Sequence, residues 1–231
     1  MRLLIFGSSA RRGATGWTDV ARVSSLLATA LPDVVIEGES PCGGADALAR
    51  EVAESLGIAV DPYPVDTAVD GPWPAAGMRR NERMHRDGKP DVAVGFVSGK
   101  VGSPLSSGSA AMAAICVRAG TPLVIFREDG VELPHVTDPE CRGDRIAGDL
   151  YHARRMLVGL HRAAPWARDD IERAGAVVRA ALDRARSRVP TVELVPAVTA
   201  AWDAVEALRI AQPRLAPWVQ VAEAIVRRNA P

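Results

Sequence analysis

The chain is predicted to be an α/β protein, with a Rossmann-like, doubly wound parallel sheet of about five strands followed by a C-terminal helical extension. Three observations predict it. Short apolar runs alternate with stretches of helical periodicity through the first 130 residues, as parallel strands joined by crossover helices require. Glycines recur where helices should end. The loops rich in Gly, Ser and Arg follow apolar runs, where the C-terminal ends of the strands should lie.

The first run, Leu3 to Phe6, is short and apolar and too brief for a secretory leader, so it reads as a buried strand. Val34 to Glu37 is the second strand, Ile58 to Tyr63 a more polar third, Val92 to Phe96 the fourth and Leu123 to Phe126 the fifth. Helices are expected between them at residues 18–30, 44–56, 77–87 and 108–119. Gly57, Gly88 and Gly120 then fall where a helix end favours a left-handed residue. Near Gly130 the pattern changes to an irregular connection with Pro134 and Pro139, and beyond Asp144 it is helical, with breaks expected near Pro165, Pro190, Pro196, Pro213 and Pro217. The expected division is a ligand-binding domain over residues 1–130 and a mostly helical extension over 131–231.

Composition narrows the function classes. Lys plus Arg and Asp plus Glu both number 28, so a net charge of zero gives no overall attraction to nucleic acid or membrane. With 48% hydrophobic residues and no apolar run near the ~20 residues of a membrane span, a globular cytoplasmic protein is expected. Cys42, Cys116 and Cys141 form no C-x-x-C and cannot all pair within one chain, which favours reduced thiols. His135, Cys141 and His152 match no zinc spacing, and no metal or cofactor is expected. Nine arginines between Arg154 and Arg188 suit either solvated, salt-bridged helix faces or a nucleic-acid contact; the scarcity of interleaved aromatics favours the former. Trp166, Trp202 and Trp218 read as packing anchors.

The candidate site gathers at the expected C-terminal sheet edge. Gly7, Ser8 and Ser9 follow the first strand, and Gly43 and Gly44 open the second helix, with Asp46 in its opening part. Ser98 and Gly99 follow the fourth strand, and Gly108 and Ser109 begin the helix after it. Helix starts rich in glycine leave N–H groups available to an anion. Arg80 and Asn81, just after Ala76-Gly77, supply a guanidinium fork suited to phosphate and an amide suited to a sugar. Each has an ordinary alternative: Asp46 favours a helix dipole, Ser109 can cap a helix, and Arg80 can be a surface charge. Neither G-x-G-x-x-G after the first strand nor G-x-x-x-x-G-K-[ST] occurs, so common dinucleotide and P-loop sites are not expected.

In order, Gly7-Ser8, Trp17-x-Asp19, Gly44-Ala45-Asp46-Ala47-Leu48-Ala49, Asp66 with Trp73, and Ala76-Gly77-x-x-Arg80-Asn81-x-x-Met84 resemble the YspA-like branch of the SLOG superfamily. That superfamily has Rossmann-like folds and includes the Lonely Guy phosphoribohydrolases and DprA. The resemblance spans residues 2–127. Ser9 stands where the family has an arginine, with Arg11 and Arg12 nearby, and Met78 replaces a common proline. The resemblance implies a nucleotide or nucleotide-derived ligand held by a sensor or sequestering protein, commonly a homodimer. The alternative is a nucleotide N-glycosidase of the Lonely Guy type, releasing a base from a nucleoside phosphate. That chemistry uses a glutamate in P-G-G-x-G-T-x-x-E, and aligning Gly108-Ser109 on its G-T places Met112 there. A thioether cannot exchange a proton, which favours binding over hydrolysis.

Overall fold

The computed structural model describes residues 1–10, 16–132, 144–187, 189–227 and 229. The chain divides into two compact units, Met1–Pro134 and His135–Pro231. Arg11, Arg12, His135, Cys141 and Arg188 lie outside the described residues.

The first unit is built on a sheet of β1 (Arg2–Gly7), β2 (Val34–Glu37), β3 (Ala59–Pro62), β4 (Val92–Phe96), β5 (Leu123–Arg127) and β6 (Gly130–Glu132), in the order β3-β2-β1-β4-β5-β6. The first five strands are parallel, with Leu4 opposite both Ile36 and Ala93. Parallel strands covered on both faces should be apolar throughout, and β4 is buried at every position. β3, an edge strand, is half-exposed, in keeping with its more polar sequence.

Helices α1 (Val20–Ala30), α2 (Ala45–Ser55), α3 (Thr67–Asp70), α4 (Ala76–Gly88) and α5 (Ser107–Ala119) fill the crossovers. α1 packs on α2 and α4 on α5. On the second face Met84 of α4 and Met112, Ala113 and Cys116 of α5 cover Leu4, Phe6, Ile36, Ala93 and Ile125. The helix starts are locally encoded: Asp19, Asp66 and Ser106 each accept a backbone N–H of the helix they precede.

Three features depart from the sequence expectation. The sheet has a sixth strand, β6, antiparallel to β5. The short helix α3 lies in what read as a connection. Gly57 and Gly120 are left-handed as expected, but after α4 that role falls to Lys89, at φ 48°. Gly88 is instead the last residue of α4, where a side chain would press on Ile36 at 3.2 Å; close packing of the helix on β2 is its physical reason.

The second unit contains α6 (Arg145–Ala163), α7 (Arg168–Arg186), α8 (Thr191–Ala211) and α9 (Ala216–Arg227). Each packs on the next and α6 also packs on α9, which closes a four-helix bundle. Pro165 and Pro213 begin 3-10 turns and Pro190 caps α8. Pro196 and Pro217 do not break helices. Pro217 lies in the first turn of α9, where no intrahelical N–H is needed, and Pro196 lies inside α8, which its neighbours hold in place.

Of the three tryptophans there, Trp218 is fully buried and anchors the core. Trp166, 46% exposed, instead carries the Arg214 guanidinium 4.5 Å from its ring, and Arg227 lies 5.4 Å from Trp202. Arg155 and Arg186 flank Tyr151 at 5.8 and 5.9 Å. Arg173 pairs with Asp170, and Arg209 with Glu223 at 2.7 Å. Among the described residues no helix is long and apolar enough to cross a membrane.

Candidate functional site

The chain winds from β1 outward to β3, then returns to β4 and continues to β5, so the strand order reverses between β1 and β4. In open parallel sheets, ligands bind beyond the strand C-termini at such a reversal. Gly7 ends β1 with Ser8 and Ser9 following it, and Ser98 and Gly99 lie just beyond β4.

Ser8 joins the three loops at this edge. Its N–H donates to the Phe96 carbonyl at 2.9 Å, and its own carbonyl accepts the N–H groups of Trp17 and Ala45, both at 3.1 Å. Its Oγ accepts the Ser98 N–H at 3.0 Å, while the Ser98 hydroxyl donates to the Gly16 carbonyl at 2.7 Å. These contacts require bare backbone. A side chain on Gly7 would overlap the Phe96 carbonyl, and one on Gly44 would strike the Ser8 carbonyl and lie 2.7 Å from the Ser9 Cα.

Gly44 caps α2 in a conformation open to glycine, φ 91° and ψ −150°, and no side chain caps that helix. Gly43 is left-handed with open space around it. Asp46 is the second residue of α2, 8% exposed, and so sits at the positive end of the helix.

Arg80 is half-buried, and its Nη1 donates to the carbonyls of Gly38 and of Tyr63, the latter at 3.1 Å. It therefore ties α4 to the ends of β2 and β3. Asn81 is 5% exposed and donates through Nδ2 to the Gly108 carbonyl at 3.1 Å, joining α4 to the first turn of α5. Ser109 is also buried; its N–H and hydroxyl both meet the Ser106 hydroxyl, at 3.3 and 3.0 Å. Gly108 is exposed. Thus Gly7, Ser8, Ser9, Gly44 and Ser98 meet in one group, Asn81, Gly108 and Ser109 in a second, and Arg80 is a link to the loop that begins at Gly38.

Sequence reasoning passed over three further groups. Arg127, at the end of β5, is fully buried: Nε donates to Glu132 at 2.5 Å, Nη1 to the Ser98 carbonyl at 3.1 Å and Nη2 to the Ser103 carbonyl at 2.5 Å. It fixes the loop after β4. Glu37, fully buried at the end of β2, receives Nε and Nη2 of Arg50, whose Nη1 reaches Glu39 at 2.9 Å. The two carboxylates hold the Arg50 guanidinium firmly protonated, well above its ordinary value. The Ser40 hydroxyl, in the same loop, is buried without a hydrogen-bond partner among the described residues. Ser40 precedes the Gly43-Gly44 pair by three residues in the same loop, whereas Arg127 and Glu37 read as ordinary strand ends.

The resemblance motifs also have structural work. Trp17 is buried 5.4 Å from Phe96, centroid to centroid, and Asp19 and Asp66 are helix caps. Met112 is 1% exposed and belongs to the core beneath α5. Cys42 is half-buried, and burial pushes the Cys116 thiol up to about 12. Among the described residues no cluster of three or more His, Cys, Asp and Glu side chains is placed to hold a metal. In comparisons with protein-family models, curated proteins and solved structures, nothing matches the chain.

Proposed function

We propose that the first unit binds a nucleotide or nucleotide-derived small molecule at the C-terminal edge of its sheet and acts as a sensor or sequestering protein. The observation that carries this reading is the loop junction at the strand reversal. There Gly7 and Gly44 leave no room for a side chain, so the loops after β1, β2 and β4 meet closely beside a helix that starts without a side-chain cap. Bare backbone of this kind next to an uncapped helix N-terminus suits a phosphate. Arg80 and Asn81, at the start of a second helix on the same edge, support the reading. The resemblance to the YspA-like branch agrees with it.

Binding is favoured over N-glycosidic hydrolysis because position 112, where a Lonely Guy enzyme would carry its glutamate, holds a methionine packed in the core. Glu37 is no evident substitute, since Arg50 occupies it. Pairing of two chains is proposed through the second unit, whose Val192 and Ile210 are 77% and 70% exposed; light scattering giving a strict monomer would remove that proposal.

Mass spectrometry of small molecules carried through purification identifies the ligand, and calorimetry measures it. Arg80→Ala is expected to weaken binding by about tenfold to a hundredfold, the equivalent of roughly 1.5–3 kcal/mol for a charged hydrogen bond. Arg80→Lys should recover only part of the loss. Because Arg80 also ties strand ends, each variant is read beside its thermal melt, and an unchanged affinity in a folded Arg80→Ala protein would misplace the site. Free base accumulating on prolonged incubation with nucleotides would establish hydrolysis instead.

A further inference from the structure

Trp73 is 55% exposed, whereas Trp17, the other tryptophan of the first unit, is 3% exposed. Its indole is not loosely placed. A methyl group built on Gly77 would lie 3.5 Å from the Trp73 Cζ3, so the ring rests against the first turn of α4. Met78 and Val69, in the same stretch of chain, are 54% and 65% exposed.

The segment itself is rigidly held. Asp70, 2% exposed, receives both Nε and Nη2 of Arg83 at 2.9 Å and accepts the Asp66 N–H at 2.8 Å. Arg83 also reaches the Pro64 carbonyl at 2.7 Å, and Arg79 the Asp70 carbonyl at 3.3 Å. The first turn of α4 carries no acid, while Arg79, Arg80 and Arg83 follow within two turns.

We propose that Trp73 is a stacking platform for the base of the nucleotide ligand, with the phosphate turned toward the arginine-bearing start of α4. This deepens the nucleotide reading and rests on it. Two facts support it: more than half of the Trp73 surface is exposed, enough to receive a planar ring, and α4, on which the indole rests, begins at the edge where Arg80 meets the ends of β2 and β3. A planar, anionic ligand satisfies both surfaces. A sequence-tolerant π-face would accept any base, so the platform contributes affinity for nucleotides over sugar phosphates rather than choice among bases.

The test is calorimetry on the full chain with AMP, GMP, CMP and UMP, and with ribose 5-phosphate, which lacks the base. The wild-type protein is expected to bind at least one nucleotide tenfold or more tightly than ribose 5-phosphate. Trp73→Ala should abolish that gap while leaving ribose 5-phosphate affinity unchanged, and Trp73→Phe should keep most of it. If Trp73→Ala does not fold, Trp73→Leu takes its place, retaining apolar contact with Gly77 but no π-face. A gap that survives the loss of the aromatic ring, or wild-type protein binding nucleotides and ribose 5-phosphate equally, overturns the platform and leaves the nucleotide reading standing. No binding of any nucleotide to wild-type protein overturns both.

Discussion

Gly43 and Gly44 look equivalent in sequence, yet the structure separates them. Both have positive φ, but a side chain on Gly43 would enter open space, while one on Gly44 would collide with the Ser8 carbonyl. Gly43→Ala therefore costs only the left-handed conformation, about 1–2 kcal/mol. Gly44→Ala adds a clash with backbone that cannot retreat, because that carbonyl already accepts two N–H groups, and is expected to cost about 3 kcal/mol or more. Urea unfolding of the two variants checks this, and equal losses would mean that the loops after β1 and β2 are not in contact. The glycines were legible as turn formers; which one carries the close approach was not, since that depends on Ser8, 36 positions earlier in the chain.

Strands and helices were largely legible because each carries its own periodicity. β2 and β4 fall on the expected residues, β1 and β3 differ by one residue at each end, and β5 by one residue at its C-terminal end. β6 was not legible, since three residues hold no period and its place depends on the Arg127–Glu132 pair. α3 was hidden for the same reason: four residues whose hold on α4 is the Asp70–Arg83 pair. The Arg83 guanidinium and its hydrogen bonds hold the Asp70 carboxyl below the usual carboxylate range. The folded state thus releases this proton more readily than the unfolded chain. Its stabilisation is present above the unfolded value of about 3.9 and is lost as pH falls toward the lower folded value. Asp70→Asn should lower stability at pH 7 and flatten the decline below pH ~4 in urea titrations; a parallel decline in both proteins would assign the acid sensitivity elsewhere. α5 gives a second element-scale expectation. Alignment with the hydrolase motif makes Met112→Glu look like restoration of a catalytic acid, but this side chain is packed against both α4 and the sheet. Burying a carboxyl there should cost several kcal/mol and push its proton affinity up. The expected result is a lowered melting temperature with no release of base from nucleotides.

At the scale of the molecule, each of the two compact units buries apolar residues of its own, and the first should fold alone if cut at the right place. Sequence periodicity suggests a boundary near Asp129, after the fifth strand. The sheet itself runs on past that point to β6. Glu132 lies on β6, its carboxylate pairs with the fully buried Arg127, and Val131 and Glu132 stand opposite Phe126 and Ile125. A chain ending at Asp129 keeps Arg127 in its buried position and removes its carboxylate. Losing one partner of a buried ion pair typically costs about 3–5 kcal/mol, which for a unit of this size corresponds to roughly 10–20 °C in Tm. A chain ending at Pro134 should melt cooperatively with mixed helix and strand circular dichroism, and one ending at Asp129 should melt at least 10 °C lower. The damage should extend to the candidate site, because Arg127 also holds the Ser98 and Ser103 carbonyls of the loop after β4. If the two chains melt together, β6 contributes nothing to the unit and the loop after β4 is held without Arg127.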